Sequence, residues 1–235
     1  MTATEGSRER ARRSELLRRA GVYLVTEESL SAGRRSEEIV EAALEAGVRV
    51  IQVREKDASA RRALEIARAV RRLTLRHDAL LIVNDRIDIA IAAEADGVHL
   101  GQEDLPLADA RGLLGDAALI GLSITDVAQL ATPDAALADY LGVGAIFPTG
   151  SKADATLTGL ALLGAARAST VASRRPIVAI GGITVENAGR TVLAGADVVA
   201  VISAITAAPD PGRAAARLVE AVQAAVATQS TATRR

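Results

Sequence analysis

Short apolar runs begin near Val22, Val48, Leu80, Gly97, Ala118, Tyr140, Ile177 and Val198, and amphipathic segments of helix length separate them. Runs of this kind, rich in Val, Ile and Leu with no polar alternation, predict strands covered on both faces, as in a parallel sheet. Eight alternating strand and helix units predict a single (β/α)8 TIM barrel, for which 235 residues suffice. A doubly wound open sheet is the alternative, although it usually has fewer units. Helix punctuation agrees with the spacing: the segment opening at Ser36 has Glu38 in its first turn and stops at Gly47, a residue suited to the position after a helix. The arginine-rich segment 59–77 reads as a solvated helix face, because Glu65 interleaves its charges and no aromatic joins it. The barrel is expected over residues 20–226, after a loose, partly helical arm at 1–19 and before a polar tail at 227–235.

Composition narrows the function classes. Lys and Arg number 28 against 29 Asp and Glu, and the aromatic set is Tyr23, Tyr140 and Phe147, so neither a nucleic-acid surface nor a stacking platform is expected. No apolar run is long enough to predict a membrane span. The absence of Cys removes thiol nucleophiles, disulfides and Cys-based zinc sites, and fits a cytoplasmic location. The first residues carry Glu5, Glu9 and Glu15 among their arginines and lack an apolar stretch, so a signal peptide is not expected. A homodimer is compatible with such a barrel, with no residue to name its interface.

Barrel enzymes place their chemistry on the loops after the strands. After the third and fourth strands stand Asn84-Asp85-Arg86 and Gly101-Gln102-Glu103-Asp104. Asp85 and Asp104 in one mouth would suit a hard cation such as magnesium with a phosphorylated substrate, while each Asp alone is also explained as a helix cap. The second strand runs into Gln52-Val53-Arg54-Glu55-Lys56, and strand alternation predicts Gln52, Arg54 and Lys56 on one side, with Val53 and Glu55 on the other. Two cations there would suit a diphosphate. His99 beside a glycine turn reads better as a hydrogen-bonded core residue than as a ligand or base. Ser123 would donate to a phosphate oxygen or cap the following helix.

After the sixth strand, Thr149, Gly150, Ser151 and Lys152 bring hydroxyls, an ammonium and amides into one loop, an anion site or lid without Walker A spacing. After the seventh and eighth strands, Gly181-Gly182 and Ile202-Ser203 match the usual phosphate site of such barrels. Two phosphorylated ligands are thus expected.

The segments YLVT from Tyr23, QVREK from Gln52, VNDR from Val83, GVHLGQEDLP from Gly97, GAIFPTGSKADA from Gly144, VAIGGI from Val178 and AGADVVAVISAI from Ala194 together resemble the thiamine-phosphate synthase family over about residues 21–210. That resemblance implies a (β/α)8 transferase that joins a pyrimidine diphosphate to a thiazole phosphate, releasing diphosphate and using Mg2+. It implies that Gln52, Val53, Arg54, Glu55, Lys56 and Asn84 hold the pyrimidine diphosphate, that Ser123 and Lys152 contact the pyrimidine substrate, and that Asp85 and Asp104 bind the metal. Thr149, Gly150, Ser151, Gly182, Ile202 and Ser203 would hold the thiazole phosphate. Arg54, Lys56 and Lys152 would be the catalytic cations. The chain departs from many relatives at Thr125, where they carry His. Two rivals are a thiazole tautomerase, which needs one phosphate site and no metal, and a non-catalytic sensor of phosphorylated ligands on the same barrel.

Overall fold

A computed structural model of the chain describes residues 4–150, 156–171 and 174–232. The strands β1 (Val22–Val25), β2 (Val50–Val53), β3 (Leu80–Asn84), β4 (Gly97–Leu100), β5 (Leu119–Ile124), β6 (Tyr140–Val143), β7 (Ile177–Ile180) and β8 (Val198–Val201) follow one another around a closed parallel barrel. The predicted TIM barrel is therefore the fold, and the open-sheet alternative falls, because β8 pairs with β1. Helix α1 (Glu5–Arg19) precedes β1; α2 (Ser36–Glu45), α3 (Ala60–Arg76), α4 (Ile87–Ala92), α5 (Leu107–Leu114), α6 (Pro133–Leu137), α7 (Gly159–Ala168) and α8 (Val185–Leu193) lie between strands; and α9 (Ser203–Thr206) and α10 (Pro211–Ala232) follow β8. No described helix is long and apolar enough to cross a membrane.

Period-two alternation divides the strand residues into two cores. Leu24, Ile51, Val53, Leu81, Val83, Val98 and Leu100 face outward into the layer under the helices. Tyr23, Val50, Leu80, Ile82, Leu119, Tyr140, Val178 and Val198 fill the lumen. The register keeps this parity around the ring, pairing Tyr23 with Val50, Val50 with Leu80, His99 with Gly121 and Gly121 with Tyr140. Both layers are apolar because neither face of the sheet meets water.

The N-terminal segment is more ordered than the loose arm expected of it. Thr4 caps a continuous α1, its hydroxyl accepting from the Ser7 amide, and Leu17 is fully buried in the lumen core from below. The described part of the polar tail is likewise helical, since α10 runs on to Ala232. Three aspartates on the barrel floor hold α1 in place. Asp96, Asp139 and Asp197 stand one residue before β4, β6 and β8, and accept the backbone N–H of Leu81, Ile120 and Ile177 at 2.9, 2.8 and 2.7 Å. Each carboxylate also takes an arginine from a barrel helix: Arg71 at 2.7 Å, Arg111 at 2.6 Å and Arg167 at 2.7 Å. On its second oxygen each takes one from α1: Arg13 at 3.1 Å, Arg10 at 3.7 Å and Arg18 at 3.6 Å. The floor is thus a repeated Arg–Asp–Arg clamp, tightest at Asp96.

Asp96→Ala should strand two arginines and a backbone donor below the barrel and lower the unfolding free energy by about 3–5 kcal/mol in urea titrations. Glu41→Ala, which removes only the exposed partner of Arg76, should stay within about 0.5 kcal/mol. Equal effects of the two substitutions would refute the clamp.

Candidate active site

All eight strands release their chains at one end, and several neighbouring loops there are tied to each other. The Thr206 hydroxyl donates to Leu30 O at 3.0 Å, joining the last loop to the first. The Thr26 hydroxyl donates to Glu55 at 2.8 Å, joining the first to the second. The Asp85 amide donates to His99 O at 2.9 Å, Gln102 Nε2 to Ser123 O at 2.6 Å, and the Phe147 amide to Gly181 O at 3.0 Å. Asp85, Asp104, Lys56 and Asn84 meet on this rim.

Its acidic centre lies at the ends of β3 and β4. Asp85 has a left-handed backbone, φ 58°, a conformation that Asp tolerates better than most side chains. Its carboxyl is pushed up to about 6, first by burial, then by the negative charge of Asp104 and a hydrogen bond with it, while Lys56 and Asn84 pull the other way. The two carboxylates, Lys56 and Asn84 are therefore neighbours. Asp104 also accepts from the Gly101 amide at 2.6 Å, which tightens its own turn. Neither Asp caps a helix: Arg86 precedes α4 and Pro106 precedes α5. Two partly buried carboxylates, only weakly offset by Lys56, form a donor set that fits a hard divalent cation, with phosphate oxygens and water completing the shell. Among the described residues no group of three or more His, Cys, Asp and Glu side chains forms a self-contained metal cage.

The second strand divides its polar residues differently from strict alternation. Gln52 is buried in the lumen, where its Nε2 donates to the Tyr23 hydroxyl at 2.7 Å. Val53 packs in the outer core, so only its backbone can reach the mouth. Arg54 is ion-paired with buried Glu27 from the first loop, a residue that belongs to no motif. Glu55 binds the Thr26 hydroxyl, the Ser36 hydroxyl at 2.9 Å and the Glu28 amide at 3.0 Å, so its carboxylate organises the rim and is not presented to a ligand. The strand ends at Val53, and beyond it the chain turns, which is why alternation fails there.

Ser123 lies inside β5 and caps nothing; Asp126 caps the following turn instead. The Ser123 hydroxyl sits 2.9 Å from His99 Nε2, and His99 Nδ1 sits 3.1 Å from the Tyr140 hydroxyl. Burial drives the imidazole down to about 4, against the weaker pull of Asp104, so His99 is a neutral, hydrogen-bonded core residue as expected. Thr125 turns away to Gln129, which accepts from its amide at 2.7 Å.

Gly181 and Gly182 have φ of 98° and 63° and press on the loop after β6. A Cβ on Gly182 would lie 2.4 Å from Pro148 O, and one on Gly181 would lie 2.5 Å from the Ala145 Cβ. Asn187 braces this turn by donating to Gly182 O at 2.9 Å and accepting from the Thr184 amide at 2.8 Å, a role that the sequence did not single out. The loop after β6 is closed at its neck, where Ala145 O accepts from Thr158 N at 2.8 Å and Ala145 N donates to Thr156 O at 3.1 Å. Thr149 and Gly150 are on its near side; Ser151 and Lys152 lie outside the described residues. Ile202 and Ser203 leave β8 next to the glycine turn, because Ile180 is in register with Ala200.

Parallel eight-stranded barrels that gather polar groups on the rim where their strands end are characteristically enzymes. The family model for thiamine monophosphate synthase matches residues 22–205, and the chain belongs to that family. It is 52% identical to thiamine-phosphate synthase of Haloarcula marismortui over 204 residues, covering 86% of this chain and 96% of that one. Its identity to the synthase of Moorella thermoacetica is 51%, over 86% of this chain and 95% of that one. The solved structure of thiamine phosphate pyrophosphorylase from Pyrococcus furiosus superposes with a TM-score of 0.80 at 37% identity, covering 89% of this chain and 98% of that chain.

Because the folded state raises the Asp85 pKa above its ordinary 3.8, the stability cost of its charge is absent at low pH, grows through about 6 and is complete above it. Asp85→Asn should therefore raise the melting temperature of the metal-free protein at pH 8 by roughly 2–4 °C, corresponding to about 1 kcal/mol after solvent screening, with no gain at pH 4. Calorimetry at the two pH values checks this; a lower melting temperature at pH 8 would contradict it.

Proposed function

We propose that this barrel couples an aminopyrimidine carrying a diphosphooxymethyl group to a thiazole phosphate, giving thiamine phosphate and diphosphate, as a transferase of the thiamine-phosphate synthase family. The observation that carries the reading is the meeting of Asp85, Asp104 and Lys56 at one rim in a chain of this family.

Asp85 and Asp104 would hold Mg2+, which when bound neutralises charge on the diphosphate oxygens. Lys56, Arg54 and Lys152 bind the diphosphate and stabilise the negative charge that grows as its bond to the pyrimidine methylene breaks. For Arg54, this means sharing its guanidinium between Glu27 and the ligand. Electrons of the aminopyrimidine support the positive charge left on the methylene carbon, which the thiazole nitrogen then attacks. Thr149, Gly150 and Ser151 from the sixth loop, with Gly182, Ile202 and Ser203, hold the phosphate of the thiazole. Gln52, Asn84 and Ser123 orient the pyrimidine partner. The substitution is dissociative because the electron-rich ring stabilises the methylene cation, and the chain contributes position and charge complementarity to it. Both pockets lie on one barrel, so a homodimer would carry two complete sites.

The full-length protein should form thiamine phosphate from both substrates with Mg2+ and lose the product when the metal is chelated. Asp85→Ala should abolish the product with the fold intact by circular dichroism, and Lys56→Ala should slow it by about 10²–10³. A tautomerase would isomerise its thiazole substrate without metal, and a sensor would bind without turnover. Full activity in Asp85→Ala would refute the metal assignment.

A further inference from the structure

One feature of the lumen has no part in binding charge. Gln52 Nε2 donates to the Tyr23 hydroxyl at 2.7 Å, the Tyr23 and Tyr140 hydroxyls are 3.2 Å apart, the Tyr140 hydroxyl is 3.1 Å from His99 Nδ1, and His99 Nε2 is 2.9 Å from the Ser123 hydroxyl. This is an unbroken hydrogen-bonded chain through the lumen from β2 to β5. It uses both tyrosines of the sequence, each 1% exposed. The rings are held in place, with centroids 6.4 Å apart for Tyr23 and Tyr140 and 5.4 Å apart for His99 and Tyr140. Two glycines make room for them. A Cβ on Gly121 would lie 2.1 Å from Tyr140 Cζ, and one on Gly142 would lie 2.7 Å from His99 Cε1.

Each hydroxyl has one proton, and with both tyrosine protons used inside the chain, donation by Gln52 to Tyr23 sets the direction of the other links. Tyr23 accepts from Gln52, and its own proton goes to Tyr140. The Tyr140 proton goes to His99 Nδ1, so the neutral imidazole carries its hydrogen on Nε2 and gives it to Ser123. The proton of Ser123 is left for a group beyond the chain, and at the opposite end Gln52 presents Oε1. One terminus is then a donor and the other an acceptor. Reversing either requires an amide flip at Gln52 together with redirection of every proton between them.

We propose that Tyr23, Tyr140 and His99 are positioning residues that fix Gln52 as an acceptor and Ser123 as a donor, and that this opposed pair selects an aminopyrimidine over the corresponding pyrimidinone. The proposal rests on the synthase reading above. An exocyclic amine donates to Gln52 Oε1 while a ring nitrogen accepts from Ser123. A carbonyl in place of the amine sets two acceptors against each other, and in a buried site that mismatch is costly.

Two measurements on the full-length protein test this. The first is the ¹⁵N spectrum of histidine-labelled protein, readable because the chain has only His77 and His99. The expected result is a neutral His99 with hydrogen on Nε2, shifting to a mixture of tautomers in Tyr140→Phe. The second is the ratio of kcat/KM for the aminopyrimidine diphosphate to that for its 4-oxo analogue. Wild type should favour the amine by about 10² or more, and Tyr23→Phe and Tyr140→Phe should each reduce that ratio by about tenfold, with the KM for thiazole phosphate unchanged. A purely structural role would lower melting temperature and both rates together, leaving the ratio intact. An Nδ1–H His99, or an unchanged ratio in both variants, overturns the proposal alone. Absence of thiamine phosphate from the wild-type reaction overturns the reading beneath it.

Discussion

Closure of a parallel sheet imposes one constraint from which the rest of this molecule follows: side chains alternate between lumen and helices, and all eight chain exits open at the same end. The lumen is consequently layered along the barrel axis. Ionic clamps with α1 form its floor, an apolar layer of Leu, Val and Ile lies above them, and the Gln52–Ser123 chain crosses it below the charged rim. Chemistry occupies one end and anchoring the other. Substitutions at the two ends therefore act on different properties.

Carboxylates show the contrast most clearly. On the floor, Asp96, Asp139 and Asp197 each meet two arginines and a backbone donor. At the rim, Asp85 faces Asp104, with Lys56 as an opposing but weaker influence, and its carboxyl rises to about 6. The same side chain thus anchors where it is paired with cations, and holds its proton to a higher pH where it is paired with another acid. Keeping two acids together costs stability, a cost of the kind that active sites accept for function.

Much of this was legible in the chain. The eight apolar runs foretold the strands because burial on both faces leaves a continuous signature, and the polar clusters after them fell on one rim because parallel connectivity requires it. Side chains whose role depends on the third dimension were harder to read. Glu55 sits among ligand-like neighbours yet braces the first loop, and Val53 turns to the helices. Glu27 and Asn187 carry no motif, and their roles appear only when Arg54 and Gly182 lie beside them. The arginines of α1 looked like those of a solvated arm because their partners stand more than eighty residues away in sequence for Arg13, and further for Arg10 and Arg18. A recurring Ala-Asp before the fourth, sixth and eighth strands was the available hint.

The proposed reaction requires one mouth to hold two anionic reactants side by side. Calorimetric titration of the full-length protein tests it most directly, with inorganic diphosphate added in the presence and absence of Mg2+, followed by thiazole phosphate. The account predicts one equivalent of each ligand per chain, bound together, with diphosphate dependent on the metal. Displacement of diphosphate by thiazole phosphate, showing a single shared anion site, would contradict it.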